Sequence, residues 1–194
     1  MNLFRKLKFF SDCSVIAVAG PMASGKNYVC SKLEDQGWHS IDADKVVHKA
    51  IENQNDRIIA TFKEYAVSMG IELKNEDGSV NRKALGAVVF SDPKLLKMQE
   101  NIVYPEVTKI IKAFIEKNNR QKIIINATVL FKTPELLSQC EKILFVKANI
   151  IKRFFRARKR DKLPAKQIFQ RFWAQRKLYS EYKKSEIPVI VIKN

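Results

Sequence analysis

The chain is short of the residues that would staple it together. Its three cysteines, Cys13, Cys30 and Cys140, are odd in number, widely scattered and without CxxC spacing. That excludes a disulfide framework and a zinc site of the usual spacing, and it points to a reducing, cytoplasmic setting. Six glycines and six prolines form no Pro/Gly/Ser-rich linker, and there is no repeat or low-complexity tract. One compact unit with inserted subregions is therefore expected, rather than beads on a string. No stretch approaches the roughly 18 consecutive apolar residues of a membrane span. The opening MNLFRKLKFFSD interleaves charges with its apolar residues and lacks a small-residue cleavage site, so it does not read as a secretory signal. Residues 1–13 are expected to be an N-terminal extension of the first strand or a loose arm.

Acid is also scarce. Twenty Asp and Glu face 36 Lys and Arg, giving +16 at neutral pH and a pI near 9.8. Such a balance suits polyanionic partners or a well-solvated surface and does not choose among RNA, a membrane and nucleotides. Location narrows it, because residues 147–177 are rich in Lys and Arg and hold a single acid, Asp161. What is plentiful is apolar residue: 46% of 194, in a chain long enough to bury about 70% of its unfolded surface.

The apolar residues alternate between strand and helix patterns. SVIAVA (14–19) is a short β-branched run of the kind that makes a buried parallel strand, ended by Gly20. Residues 26–36 carry Tyr28, Val29 and Leu33 at helical spacing before Gly37. Residues 38–41 read as a second strand, 48–62 as helix, NEDGS (75–79) as a turn, and 82–90 as helix. Further helix, broken near Pro93 and Pro105, is expected on to Asn118. Strands are expected at 123–130, 143–147 and 188–192. Strand alternating with helix predicts an α/β fold, a mostly parallel sheet with helices on both faces.

Three constellations carry chemistry. GPMASGKN (20–27) follows a strand and opens a helix, the context in which a Gly-rich loop cradles phosphates on its backbone N–H groups. Gly20, Ala23, Ser24, Gly25, Lys26, Asn27 and Tyr28 are thus candidate ATP-binding residues, with Lys26 adding a cation over the β- and γ-phosphates. Asn27 stands where the motif has a magnesium-ligating Ser or Thr; its amide oxygen is a candidate metal ligand. The second is IDAD (41–44), at a strand end where α/β sheets bind ligands. One carboxylate there, Asp42, can hold magnesium through water, while the other, Asp44, accepts a proton; alternatively the pair caps the following helix. In the third, Arg153, Arg156 and Arg160 fall on one helix face. Ile150, Ile151, Phe154 and Phe155 form another that is expected to pack. A second helix from Pro164 carries Ala165, Ile168, Phe169, Phe172 and Trp173 as a core-type stripe, with Arg171 and Gln175 together on a different face. This hairpin can close over a triphosphate, arginine forks meeting phosphate oxygens. A solvated face and an RNA-binding hairpin are the alternatives, the latter disfavoured by aromatics placed as core.

In order, GPMASGKN, IDADKVVHKAIE, GSVNRKALGAVVFSD, Tyr104-Pro105, ATVLFK, the RxxxRD of Arg156 to Asp161, RFWAQ and VIVIKN resemble the dephospho-CoA kinase family over residues 14–194. The resemblance implies a P-loop NTPase-type core (14–62, 120–148 and 186–194), a helical CoA-binding region (about 63–119) and a helical lid (about 150–176). It implies ATP-dependent phosphorylation of the ribose 3′-hydroxyl of dephospho-CoA, with Mg2+, in a cytoplasmic monomer having no nucleic-acid partner. By that resemblance Asp44 is the base, and Lys26, Arg156 and Arg160 are catalytic. Arg156 also binds ATP, and Asp44, His48, Arg82 and Tyr104 meet the substrate. Departures from the family's pattern are Asn27, Tyr104 where His usually precedes Pro, and Asn126 and Lys132 in place of two acids of a D-x-P-L-L-F-E segment. A P-loop protein binding nucleotide or RNA without this catalysis, or a kinase for another nucleoside-type acceptor, is the alternative function.

Overall fold

A computed structural model describes residues 10–194. The expected extension, residues 1–13, lies outside the described residues for its first nine. Phe10 and Cys13 are buried in one core cluster with Ile16, Val18, Leu33, Trp38 and Val146.

The chain divides into two compact units. One takes the chain up to Asp44 together with Lys112–Asn194, and the other is Lys45–Ile111. The first unit holds a five-stranded parallel sheet of β1 (Val15–Ala19), β2 (Trp38–Asp42), β3 (Lys122–Asn126), β4 (Lys142–Lys147) and β5 (Val189–Lys193), ordered β2-β3-β1-β4-β5. β3 and β4 each bury four consecutive residues. Because side chains alternate faces, consecutive burial means that both faces are covered. The register sets Asn126 of β3 beside Val18 on one side and Asp42 on the other, so the carboxyl ends of three strands meet there.

Strand β3 stops four residues short of its expected end. Beyond Ala127, whose N–H donates to Val18 O, the chain turns into a short 3-10 turn at Leu130–Lys132. Tyr182 explains the departure. Its fully buried hydroxyl accepts from Leu130 N at 2.8 Å and donates to Thr128 O at 3.2 Å, satisfying backbone groups that a ladder would otherwise claim.

Helix α1 (Lys26–Glu34) follows β1. The helix expected over 48–62 is instead two, α2 (Ala43–Asn53) and α3 (Asn55–Ser68), broken at Gln54. In the second unit α4 (Arg82–Val89) begins on Asn81, whose side chain accepts from Ala84 N at 3.1 Å. The expected break at Pro105 does not occur. α5 runs unbroken from Pro93 to Lys117, burying Leu95, Ile102, Val103, Val107 and Ile111. Each buried aliphatic side chain contributes about 1.5–3 kcal/mol, which together exceed the ~3 kcal/mol that an interior proline costs.

Returning to the first unit, α6 (Pro134–Leu137) precedes β4, and α7 (Ile150–Asp161), α8 (Ala165–Ala174) and α9 (Leu178–Lys183) lie between β4 and β5. The hairpin α7–α8 corrects the sequence reading. Only Ala157, Ile168 and Phe172 are buried, against Met22, with Phe154, Leu163 and Ala23 packed around them. Ile150, Ile151, Phe155, Phe169 and Trp173 are exposed, Trp173 by 67%. Two short helices with one partner segment have only one face to bury. The expected packing therefore holds for Phe154, Ile168 and Phe172 and fails for Ile150, Ile151, Phe155, Phe169 and Trp173. No helix among the described residues is long and apolar enough to cross a membrane.

Candidate active site

The loop after β1 is shaped by backbone conformations that few residues adopt. Gly20 has φ +152°, and a Cβ there would overlap the Val146 carbonyl oxygen of neighbouring β4. Gly20→Ala is expected to cost about 1–3 kcal/mol of stability, read as a lower urea midpoint; an unchanged midpoint would show that the loop can yield. Gly25 (φ +97°) stands at the N-terminal cap of α1, and Ala23 (φ +59°) holds a left-handed conformation without being glycine. α1 starts with no side-chain cap and no acid in its first turn. Its first N–H groups therefore carry the positive end of the helix dipole with no side chain to neutralise it, the arrangement that receives phosphate.

Lys26 crosses back over this loop. Its Nζ donates to Gly20 O and to Thr128 Oγ1, each at 3.1 Å. Burial lowers the ammonium's pKa below its ordinary value, and the carboxylates of Asp44 and Asp42 act in the opposite direction. The site thus holds a partly desolvated cation whose charged form lacks full compensation. An anionic phosphate would supply what is missing.

The α7–α8 hairpin also holds this loop. Met22 N donates to Gln175 Oε1 at 2.7 Å, and Met22 O accepts from Arg153 Nε at 2.9 Å. Arg153 also lies over the Phe172 ring at 4.1 Å. The three arginines predicted on one face therefore diverge in task. Arg153 braces the loop. Arg156 lines, with Gly25, Tyr28 and Asn194, an open cleft of about 450 Å3. Arg160 forks onto its neighbour Asp161, at 2.7 and 3.1 Å, and feels the Asp44 carboxylate. Arg171 is exposed. Asn194 Nδ2 donates to Ser24 O at 3.0 Å, and Ser24 itself is buried.

Asp42 ends β2 and caps the turn into α2, its Oδ1 accepting from Asp44 N at 3.0 Å. The capping alternative is thus realised for Asp42 and leaves the exposed Asp44 carboxylate in the first turn of α2. Asn27 Oδ1 accepts from Asn126 Nδ2 at 3.0 Å. Among the described residues no group of three or more His, Cys, Asp or Glu could hold a metal ion unaided. The Asp42 and Asp44 carboxylates and the Asn27 and Asn126 amide oxygens nonetheless offer hard oxygen donors, and the Asn126 Oδ1 is buried without a hydrogen-bond partner. This set suits Mg2+, which binds through one or two protein oxygens plus substrate phosphates.

The other expected substrate residues belong to the second unit. His48 is exposed on α2; Glu52, one turn further on, pairs with Arg82 at 3.7 Å. The Tyr104 hydroxyl donates to Glu100 at 3.2 Å, and burial followed by the Glu100 charge raises its pKa. Sequence reasoning missed Thr128, Tyr182 and Asn194. Thr128 lay within ATVLFK, but a lone hydroxyl or amide far along the chain carries no local signal. The cysteines are free and buried, burial pushing Cys30 and Cys140 up to about 12, so none is a reactive thiolate at neutral pH.

This architecture has close counterparts. Over 189 residues the chain is 40% identical to the dephospho-CoA kinase of Treponema denticola, covering 95% of this chain and 83% of that protein. It is 34% identical to that of Treponema pallidum over 87% of this chain and 81% of the other. Among solved structures, TT1252 from Thermus thermophilus superposes with a TM-score of 0.76 at 26% identity, covering 93% of this chain and 87% of the other. The Campylobacter jejuni dephospho-CoA kinase, at 22% identity, shares the fold with a TM-score of 0.66 over 93% and 89%. The family model described as dephospho-CoA kinase matches residues 14–194, and on that match and these relatives the chain belongs to the dephospho-CoA kinase family.

Proposed function

We infer that this chain transfers the γ-phosphoryl group of ATP to the ribose 3′-hydroxyl of dephospho-CoA, giving coenzyme A and ADP. The observation that carries the mechanism is the desolvated Lys26 cation at an uncapped helix N-terminus, with the Asp44 carboxylate near enough to influence it. In this reading the loop N–H groups and Lys26 hold the phosphates, and Arg156 contacts ATP at the cleft. Asp44 takes the 3′-hydroxyl proton as the oxygen attacks the γ-phosphorus. The new O–P bond forms as the β–γ bridging bond breaks, and ADP leaves with that electron pair. Arg160 reaches the transferring group by exchanging Asp161 for phosphate oxygens. Asn27 and Asn126, and Asp42 through water, are the residues that would hold a magnesium ion arriving with ATP, which would there neutralise phosphate charge. His48, Arg82 and Tyr104 are assigned to the acceptor. We place the reaction in the cytoplasm, in a monomer, a setting that suits three buried free thiols.

Incubation with ATP, magnesium and dephospho-CoA is expected to yield CoA and ADP in equal amounts. A panel of nucleosides and nucleotides should be phosphorylated at least tenfold more slowly. Folded protein that makes no CoA, or that prefers another acceptor, overturns the assignment.

A further inference from the structure

The outer side of the α7–α8 hairpin has no task in the site described above. Among the described residues ten large hydrophobic side chains are exposed, and five of them, Ile150, Ile151, Phe155, Phe169 and Trp173, fall within these two helices. They form one strip. Phe155 meets Phe154 edge to face at 5.6 Å between ring centroids, and Phe154 stacks on Phe169 at 5.3 Å. Trp173 stands one turn beyond Phe169, and Ile150 and Ile151 stand one turn before Phe154 and Phe155. Arg153, which holds Met22, and the buried Ala157 are each two residues from Phe155, hence near the opposite side of α7. The strip is therefore presented outward, and a contiguous exposed strip of this kind marks an interaction surface.

Cations surround it. Lys152, Arg158, Lys159, Lys162, Lys166 and Arg176 are exposed, the last with its guanidinium over the Trp173 ring at 3.7 Å. Residues 147–177 hold twelve Lys and Arg against one acid, Asp161, which Arg160 occupies. What covers the strip must then be apolar and anionic together. A second copy of the hairpin brings the same positive charge and is repelled. RNA supplies the charge, and the exposure of Phe155, Phe169 and Trp173 removes the objection that these aromatics are core. Yet Ile150 and Ile151 offer no ring for a base to stack on, and Arg176 already takes one face of Trp173. The surface of a bilayer with anionic phospholipid supplies both features. Apolar side chains enter where headgroups meet acyl chains, while Lys and Arg stay among the headgroups.

We propose that the outer side of the α7–α8 hairpin docks this protein, peripherally and reversibly, on membrane surfaces that carry anionic phospholipid, with Phe155, Phe169 and Trp173 as the inserting side chains. Docking of this kind needs neither ATP nor dephospho-CoA, so the test uses the full chain with vesicles alone.

Vesicles of phosphatidylcholine, and of phosphatidylcholine with about one third phosphatidylglycerol, are titrated with the protein, and binding is read by cosedimentation and by tryptophan emission. The chain has two tryptophans. Trp38 is only 6% exposed, within the core, so Trp173 supplies the signal. Binding to the anionic vesicles is expected to be at least about tenfold tighter than to phosphatidylcholine alone and to be largely lost at about 0.5 M salt. Trp173 emission should move to shorter wavelength and be quenched by lipids brominated on their acyl chains. Phe155→Ser combined with Trp173→Ser should weaken anionic-vesicle binding about tenfold or more, as should Lys152→Gln, Lys159→Gln and Lys166→Gln together, with thermal melts as folding controls. If the first variant does not fold, quenching in the unaltered protein decides. No binding to anionic vesicles overturns the proposal, and so does binding that leaves Trp173 unshifted and unquenched, since charge alone then holds the protein. Trp173 emission altered by a single-stranded RNA but not by the vesicles assigns the strip to nucleic acid and also overturns it. A lipid-free dimer in sedimentation velocity that the Phe155/Trp173 variant dissolves does the same.

Discussion

Asp44→Asn is expected to lower the rate of CoA formation by roughly 10²–10⁴-fold, the contribution of a positioned general base, while the dissociation constant for ATP stays within threefold. The substitution preserves shape. Asp44 is exposed in the first turn of α2, and its N–H continues to donate to Asp42 Oδ1, so the turn between β2 and α2 is retained. What disappears is a proton acceptor and one negative charge. The loss reaches Lys26, because the Asp44 charge is the largest influence opposing the burial-driven fall of that ammonium's pKa. The remaining activity of the variant should therefore decline at lower pH on the alkaline side than in the unaltered enzyme. Steady-state CoA formation across pH, with calorimetric ATP titration alongside, measures both effects. Turnover within tenfold of the unaltered enzyme would remove Asp44 from the role of base.

Lys26→Met should have the second largest effect, about 10²–10³-fold in turnover, comparable to deleting one preorganised electrostatic donor, together with a weakened ATP affinity. Stability should move the other way or not at all. Because burial lowers the Lys26 pKa in the fold, the native state holds fewer protons than the unfolded chain in the pH window just below the lysine's ordinary value. Stability therefore rises with pH through that window, and the charged form is the disfavoured one. Replacing it with an isosteric apolar side chain forgoes the bonds to Gly20 O and Thr128 Oγ1 but relieves the desolvation. The melting temperature of the nucleotide-free protein is expected to be unchanged or higher, and its alkaline rise in stability should flatten. A variant that melts well below the unaltered protein would show that Lys26 is a structural strut first and a phosphate clamp second.

The loop and its lysine could be read directly because their chemistry is local. A β-branched run, a glycine at positive φ, a second glycine at a helix start and an adjacent lysine lie within about a dozen residues, each with its own turn or helix logic. Asp44 was legible as a candidate for the same reason, as a carboxylate just beyond a strand end. The α7–α8 hairpin was legible as two helices but not in its surface. Helical periodicity says which residues share a face, and Phe155, Phe169 and Trp173 share theirs with too little partner surface to be covered. Pro105 misled for a related reason. A local rule predicted a break, and the buried stripe of α5 outweighed it.

From the sequence alone came the class of fold, the phosphate loop, the candidate base and the family resemblance, since all rest on short-range pattern and on motifs in order. Only the tertiary structure decided which distant side chains complete the site. The strand order β2-β3-β1-β4-β5 carries Asn126 and Thr128 to the foot of a loop about a hundred residues earlier. The α7–α8 hairpin brings Gln175 and Arg153 to the two backbone groups of Met22. Each of these contacts joins groups too far apart in the chain for any local propensity to encode, so they arise only when the sheet has formed and the α7–α8 hairpin has packed.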